Sequence, residues 1–252
     1  MASVVSQVKS QVRNSNEEKA STKLTIVSGI LFVFGCSFYV IGTTLNLPSN
    51  NATNAWMYNA IGAGVFTMCG LVEYFNYMGG FHVFLIFAGI FGLTAEILDG
   101  HGNPVSVHFN FLANHMYFCE AVKLYIAHSG DFYAQAVANK IIMIKTLRYA
   151  DILFLSGTVI DIILAWIYLF TGTPNSGGAI ASSSSTGGSG GSLNLLRTDD
   201  QKNAELASAS LWFICSILTL MVYIRMARAE TSANGREEVG DEKDNTNLSE
   251  VV

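Results

Sequence analysis

Six long apolar stretches, separated by more polar segments, are the feature that most limits how this chain can fold. They lie at about residues 24–47, 55–78, 81–98, 105–126, 147–170 and 204–226. A helix needs roughly 20 predominantly apolar residues to cross the hydrocarbon core of a bilayer, and most of these stretches are that long. The sequence therefore predicts an all-α fold, a polytopic membrane helix bundle with about six transmembrane helices.

The composition is typical of a chain surrounded by lipid. Half of its residues are hydrophobic, 12% are aromatic and only 13% are charged. An average soluble domain carries roughly twice that charged fraction. The formal net charge of -5 comes mostly from the tails, which argues against a surface that binds nucleic acid. We therefore expect the lipid bilayer, and no nucleic acid, as a partner of this protein.

The cysteines give no sign of a disulfide framework or of a metal site. All of them lie inside apolar stretches, where a thiol usually behaves as a small buried hydrophobic group. They are Cys36, Cys69, Cys119 and Cys215. Their spacing contains no CxxC motif, and the sequence predicts no cofactor.

The Lys and Arg residues indicate which helix ends face the cytoplasm, because cytoplasmic loops of membrane proteins are enriched in these residues. In a six-helix arrangement one end collects Lys9, Arg13, Lys19, Lys23, Lys140, Lys145, Arg148, Arg225 and Arg228. At the opposite end, the short loops 48–54 and 99–104 have no Lys or Arg, and the long fifth loop has only Arg197 and Lys202. The sequence therefore predicts a multi-pass protein with both termini in the cytoplasm.

Polar segments divide the chain into a leader, a bundle and a tail. We predict a cytoplasmic leader at 1–22, a transmembrane bundle at 23–229 and a disordered acidic tail at 230–252. Within the bundle, the Gly/Ser-rich loop 173–203 is expected to be flexible and to lie outside. Residues 131–145 predict either an interfacial helix with a basic edge or an extension of the fifth helix. The leader and the acidic tail are candidates for binding protein partners.

The first and last hairpins are similar in sequence. Residues 30–35 align without gaps with 152–157, and residues 54–74 share scattered identities with 203–223. The two hairpins are therefore candidates for copies of one unit in the same orientation, like the parallel repeats of some transporters. A chance match between apolar helices is the alternative.

Residues 31–42 and 60–74 also carry a family resemblance. The first segment is apolar and contains glycines, and the second is rich in small residues. In this respect the chain resembles the YrhK-like membrane hairpin family, whose two-helix units have these two kinds of helix. The resemblance implies a hairpin fold for these helices, and it transfers no activity, because the family has no well-defined one.

Ionisable residues inside the apolar stretches are the candidates for function, because they are costly in a membrane. Asp161 lies near the middle of the fifth stretch, and His115 is at a similar depth in the fourth. A His and carboxylate pair of this kind is typical of a proton relay or a cation site. Glu120, three residues before Lys123, and Glu96 are further candidates. The alternative is a structural polar contact that joins helices.

A metal site near the third and fourth stretches is the weaker hypothesis. Glu96, Asp99, His101 and His108 are close in sequence, but no HExxH or ExxH spacing supports a hydrolase or di-iron centre. The histidines also occupy only two adjacent helices, which does not favour haem. We expect no metal ligands in this chain.

Two charged and two small-residue features have simpler explanations. Glu73 is expected to snorkel to the interface, and Asp151 to pair locally with Arg148. The small pairs Ala60/Gly64 and Ala88/Gly92 are expected to let neighbouring helices approach closely.

Two functional classes follow from the sequence. The first is a non-enzymatic organising or scaffold protein of the membrane. The alternative is a proton- or cation-coupled transporter or small channel that uses Asp161, His115, Glu120 and Glu96. An enzyme is not expected, because a nucleophile, a base and oxyanion donors cannot be assigned at any recognised spacing.

Overall fold

The structure is a computed structural model of the full chain. It describes residues 21–47, 50, 54–76, 83–129, 141–171 and 198–248, and side chains are described in these ranges except for 127–129, 141–144, 171, 198 and 230–248. Residues 1–20 of the leader, most of the predicted interfacial segment and residues 173–197 of the Gly/Ser-rich loop lie outside the described residues. The loop prediction was wrong for residues 198–203, which are helical, because they form the first turns of the last helix.

The described residues form six α-helices and no strand, which confirms the all-α prediction. The helices are α1 Thr22–Leu45, α2 Ala55–Asn76, α3 Val83–Gly100, α4 Ser106–Ser129, α5 Ile141–Thr171 and α6 Thr198–Leu248. Beyond Ala229, α6 enters the acidic tail, where the chain is polar and no longer apolar enough to span a membrane. The tail's disorder stays a prediction.

Five of the helices are long and apolar enough to cross a membrane, so the chain is an integral, multi-pass membrane protein. The exception is α4, which contains Asn110, Asn114 and Glu120 in its interior. Its 24 residues still give a length of about 36 Å, at about 1.5 Å per residue. The helix packs between α3 and α5, so its polar groups contact other helices.

The six helices pack as a closed ring. Each helix packs its backbone against its neighbours in chain order, and α6 closes the ring against α1; among the described residues no other pair of helix backbones comes close. Large apolar side chains such as Phe34, Phe75 and Phe170 are exposed on the outside, as expected where a bundle faces lipid. The ring leaves a central axis that only side chains can fill.

Three rings from the even-numbered helices meet on this axis, and we term them the aromatic layer: Phe66 of α2, Tyr117 of α4 and Trp212 of α6. The ring centroids are 5.7 Å apart for Phe66 and Tyr117, 5.9 Å for Phe66 and Trp212, and 4.8 Å for Tyr117 and Trp212. None of the three side chains is more than 4% exposed. Each lies near the middle of its apolar stretch, so the layer fills the axis about halfway along the bundle.

Glycines make room for the aromatic layer. A Cβ atom on Gly35 would come within 2.7 Å of the Phe66 ring, and one on Gly157 would collide with the Trp212 ring. These two glycines are equivalent in the alignment of 30–35 with 152–157, so the aligned segments have the same packing role. Duplication of the hairpin stays a prediction.

The small-residue prediction was right for one helix and wrong for one glycine of the other. Ala60 and Ala88 are buried. A Cβ atom added to Gly92 would lie 3.4 Å from the Ala63 Cβ. Gly64, however, has nothing within 4 Å of such a Cβ. It lies on the outer face of α2, and the close approach of α2 to α3 occurs at Gly89.

The C-terminal ends of α1, α3 and α5 lie at one end of the bundle, together with the N-terminal end of α6. We therefore expect a cysteine at position 183, between α5 and α6, and one at position 232, beyond the apolar part of α6, to react with an impermeant thiol reagent from opposite faces of the membrane. Each would be introduced singly into a chain whose native cysteines are serines. Reaction of both from the same face would contradict the six-span topology.

Candidate functional site

A polar cavity of about 70 Å³ lies on the axis at the end where α1, α3 and α5 finish. We term it the outer cavity, since the predicted orientation puts this end outside the cytoplasm. All six helices line it, with Tyr39, Thr43, Asn46, Asn59, Gly92, Glu96, Asn110, Ala113, Asn114, Tyr117, Asp161, Leu164, Tyr168, Glu205, Ser208, Ala209 and Trp212. It is therefore a feature of the assembled bundle and belongs to no single hairpin.

Three carboxylates from three helices line the outer cavity: Glu96, Asp161 and Glu205. Glu205 lies within electrostatic range of the other two. It accepts a hydrogen bond of 2.5 Å from the Tyr168 hydroxyl. It also forms an ion pair with Lys202, whose Nζ lies 3.2 Å from Glu205 Oε2. With one ammonium group beside three carboxylates, ionised acids would give the cavity a negative potential.

Several polar atoms of the outer cavity have no hydrogen-bond partner among the described residues. They are Glu96 Oε2, Asn59 Oδ1, Tyr117 Oη and Trp212 Nε1, and these residues are only 7%, 7%, 2% and 4% exposed. A buried polar atom left without a partner costs about 1–3 kcal/mol, so such atoms are rare in native structures. Four of them around one cavity make it a candidate site for a polar guest.

A second cavity, of about 40 Å³, lies at the terminus end of the axis, and we term it the inner cavity. Its lining includes Glu73, Glu120 and Asp151. Ser28 Oγ donates a hydrogen bond of 2.7 Å to Glu73 Oε1, and Glu120 forms an ion pair with Lys123. The inner cavity is thus acidic as well, with one basic group close by.

The aromatic layer separates the two cavities. Tyr117 and Trp212 border the outer cavity, while Phe32 and Phe154 border the inner one. The Phe154 ring lies 5.2 Å from that of Trp212, and the Phe32 ring 5.7 Å from that of Phe66. The axis therefore runs from an acidic cavity through packed rings to a second acidic cavity.

The structure brings together two of the four residues predicted from the sequence. Glu96 and Asp161 line the outer cavity, Glu120 lines the inner cavity, and His115 lines neither. His115 Nδ1 lies 2.7 Å from the Phe111 carbonyl oxygen, and its ring packs against Phe111 and Trp166.

The predicted pair of His115 and Asp161 is not formed. Residues 110, 113, 114 and 117 of α4 face the axis. Position 115 is rotated by about 100° from position 114 in a helix of about 3.6 residues per turn, which turns His115 toward the outside of α5. Among the described residues, none of its contacts reaches Asp161.

Sequence reasoning missed Glu205, Asn59, Trp212 and the axial role of two acids. Glu205 lies at the start of an apolar stretch and was indistinguishable from a boundary residue. Glu73 accepts the hydrogen bond from Ser28, and Asp151 is 5% exposed beside the inner cavity. Their helical spacing gave no sign of this, because it depends on how α1 and α6 pack. Snorkelling of Glu73 and pairing of Asp151 with Arg148 stay predictions.

The residues of the weaker metal hypothesis do not converge. Asp99 is buried, whereas His101 and His108 are exposed, and His101 Nδ1 lies 2.7 Å from the carbonyl oxygen of Ile97. In the described ranges, no group of three or more His, Cys, Asp and Glu side chains could hold a metal ion.

Comparison of the chain with protein-family models, with curated proteins and with solved structures gives no match. The resemblance to YrhK-like hairpins therefore stays a prediction. Function has to be inferred from the two cavities themselves.

Proposed function

We propose that this multi-pass membrane protein moves a small cation along the axis of its helix bundle, as a transporter or narrow channel. The observation that carries the proposal is the outer cavity, which is lined by three carboxylates from different helices and by four buried polar atoms without partners among the described residues. The acidic inner cavity, on the other side of the aromatic layer, supplies a second station on the same axis.

Electrostatics explains why such a cavity would hold a cation. Carboxylates inside a membrane protein are costly unless something compensates them, and Lys202 compensates Glu205 directly. Two unit charges about 4 Å apart attract by about 4 kcal/mol at an effective dielectric constant of about 20. A cation between Glu96 and Asp161 would gain from both groups, so the outer cavity favours positive guests.

Transport requires the aromatic layer to open. In the structure the Phe66, Tyr117 and Trp212 rings are packed against one another, which describes a closed state. Gly35 and Gly157 place helix backbone directly beside two of these rings, so a small displacement of α1 or α5 would change the space available to them. We propose that passage of the cation depends on this repacking and that the protein has no catalytic activity.

The organising role stays a prediction with a different basis. It depends on protein partners of the leader and the acidic tail, whose side chains lie outside the described residues. An organiser would need the axial acids only as contacts between helices. In that case replacing one acid by its amide would change no flux.

The test is cation flux through purified protein in vesicles, with Asp161→Asn as the variant. We expect the wild-type chain to dissipate a gradient of at least one of H⁺, Na⁺, K⁺ or NH₄⁺, followed with an internal pH-sensitive dye or ion indicator. Asp161→Asn should reduce the rate of cation flux at least about tenfold. A tenfold lower rate corresponds to a barrier that is about 1.4 kcal/mol higher. The amide has nearly the same volume, so the fold should survive.

Asp200→Asn is the matched control. Asp200 is exposed in the first turn of α6 and lines neither cavity, so its replacement removes the same charge and should leave the flux unchanged. Absence of any Asp161-dependent flux under all four gradients would contradict the proposal and leave the organising role as the better account.

A further inference from the structure

We propose that the cation bound in the outer cavity is a small ammonium ion, either NH₄⁺ or methylammonium, and that it is not a metal ion. This inference rests on the proposed function and deepens it, because it names the class of the transported cation. Two properties of the outer cavity carry it: its aromatic walls and the kind of polar atoms that it leaves without partners.

The outer cavity is large enough for a small ammonium ion, since its volume is about 70 Å³. Size alone does not separate ammonium from tetramethylammonium. The difference between them is chemical, because tetramethylammonium has no N–H group to donate to the acceptors of the cavity.

The walls of the cavity combine aromatic rings with acids. Tyr39, Tyr117, Tyr168 and Trp212 line it together with the three carboxylates. The face of an aromatic ring attracts an ammonium ion, most strongly for Trp, and aromatic cages are a common means of binding alkylammonium groups. The carboxylates also add negative charge, which attracts a cation and not a neutral guest of the same size.

Two of the atoms without partners can only accept hydrogen bonds. Glu96 Oε2, when the acid is ionised, and Asn59 Oδ1 need a donor, and an ammonium group supplies three or four N–H donors. A metal ion would instead need several oxygens converging at bonding distance. An ammonium group can instead donate one N–H to each of several acceptors on different walls, so the acceptors need not converge on one point.

The experiment measures binding of radiolabelled methylammonium to the purified full-length protein in lipid nanodiscs. We expect saturable binding that excess NH₄⁺ displaces and that equal concentrations of Na⁺, K⁺ or tetramethylammonium do not. Glu96→Gln and Asp161→Asn should each weaken binding at least about tenfold, as loss of a close, partly desolvated charge predicts. Asp200→Asn should bind like the wild type.

The aromatic contribution is tested separately at Tyr39. Tyr39→Phe keeps the ring and should retain binding, whereas Tyr39→Leu removes it and should weaken binding several-fold. Equal loss in both variants would contradict a role for the ring. Elution volume and melting temperature in detergent identify any variant that fails to fold, and the Glu96→Gln and Asp161→Asn variants provide the independent comparison.

The outcomes separate this inference from the proposed function. Asp161-dependent flux of H⁺, Na⁺ or K⁺ without methylammonium binding would overturn the ammonium assignment and leave cation transport intact. Methylammonium binding without any flux would overturn transport and leave the binding site. Displacement of methylammonium by Na⁺ or K⁺ as effectively as by NH₄⁺ would contradict the selectivity inferred here.

Discussion

Replacing Gly89 by alanine should lower the stability of the bundle markedly, whereas replacing Gly64 by alanine should leave it unchanged or raise it. A Cβ atom on Gly89 would lie 2.6 Å from the backbone nitrogen of Thr67 and 2.8 Å from the carbonyl oxygen of Ala63. Since these are backbone atoms of α2, the two helices would have to separate. Overpacking of this kind typically costs about 1–3 kcal/mol, and melting in detergent, followed by tryptophan fluorescence, measures it.

Gly64 is the matched control, because it is also a glycine inside a membrane helix but has open space where the Cβ would go. Alanine is favoured over glycine in a helix interior by about 1 kcal/mol, so the expected change in melting temperature is zero or upward. Equal effects of the two substitutions would show that α2 and α3 do not approach each other at Gly89 as the structure describes.

Replacing Trp212 by alanine should turn a slow, gated flux into a leak. Trp212 is 4% exposed and contacts Phe66, Tyr117 and Phe154, so its removal would leave a void between the two cavities. A barrier lower by about 1.4 kcal/mol raises a rate about tenfold, and we expect at least that increase in the cation flux of reconstituted vesicles. The substitution should also destabilise the protein by about 3–5 kcal/mol.

Trp166→Ala separates the gating effect from the loss of a tryptophan. Trp166 lies on α5, is 41% exposed and packs against Phe111 and Phe170, outside the aromatic layer. Its replacement should leave the leak rate unchanged. A similar leak in both variants would indicate general disruption of the bundle and would contradict the aromatic layer as the barrier.

The sequence predicted the helices well because each span is a local property of composition. The apolar stretches give length and boundaries, and α4 was included because its 105–126 stretch is long enough despite its polar residues. The same reasoning identified Glu96 and Asp161, since an acid inside an apolar stretch is conspicuous wherever it points.

The rest of the site depends on helix rotation and packing, which a single sequence does not provide. His115 and Asn114 are neighbours in sequence, yet only Asn114 lines the outer cavity. Glu205 could be assigned only once α6 was packed against α5, where Tyr168 donates to it. Trp212 was one of many aromatic residues in apolar stretches, and its place on the axis follows from ring contacts with four other helices.

Two cavities lie on the axis at opposite ends of the bundle, and the aromatic layer separates them. The most direct test of this arrangement is the reaction of Ag⁺, a small impermeant cation, with single cysteines on α6. Cys215 lines the inner cavity, and Ser208 lines the outer one. Ser208→Cys is a nearly isosteric substitution. The two positions are about 10 Å apart along the helix, at about 1.5 Å per residue, with Trp212 between them.

All other native cysteines would be replaced by serine, and thiols that remain unreacted would be counted with a maleimide after denaturation. Ile214→Cys, on the exposed face of the same helix, is the control for a position that faces lipid and should stay unreacted. We predict that Ag⁺ modifies Cys215 only from the face that carries the termini and a cysteine at 208 only from the opposite face. Modification of both from one face, or of neither from any face, would contradict the account.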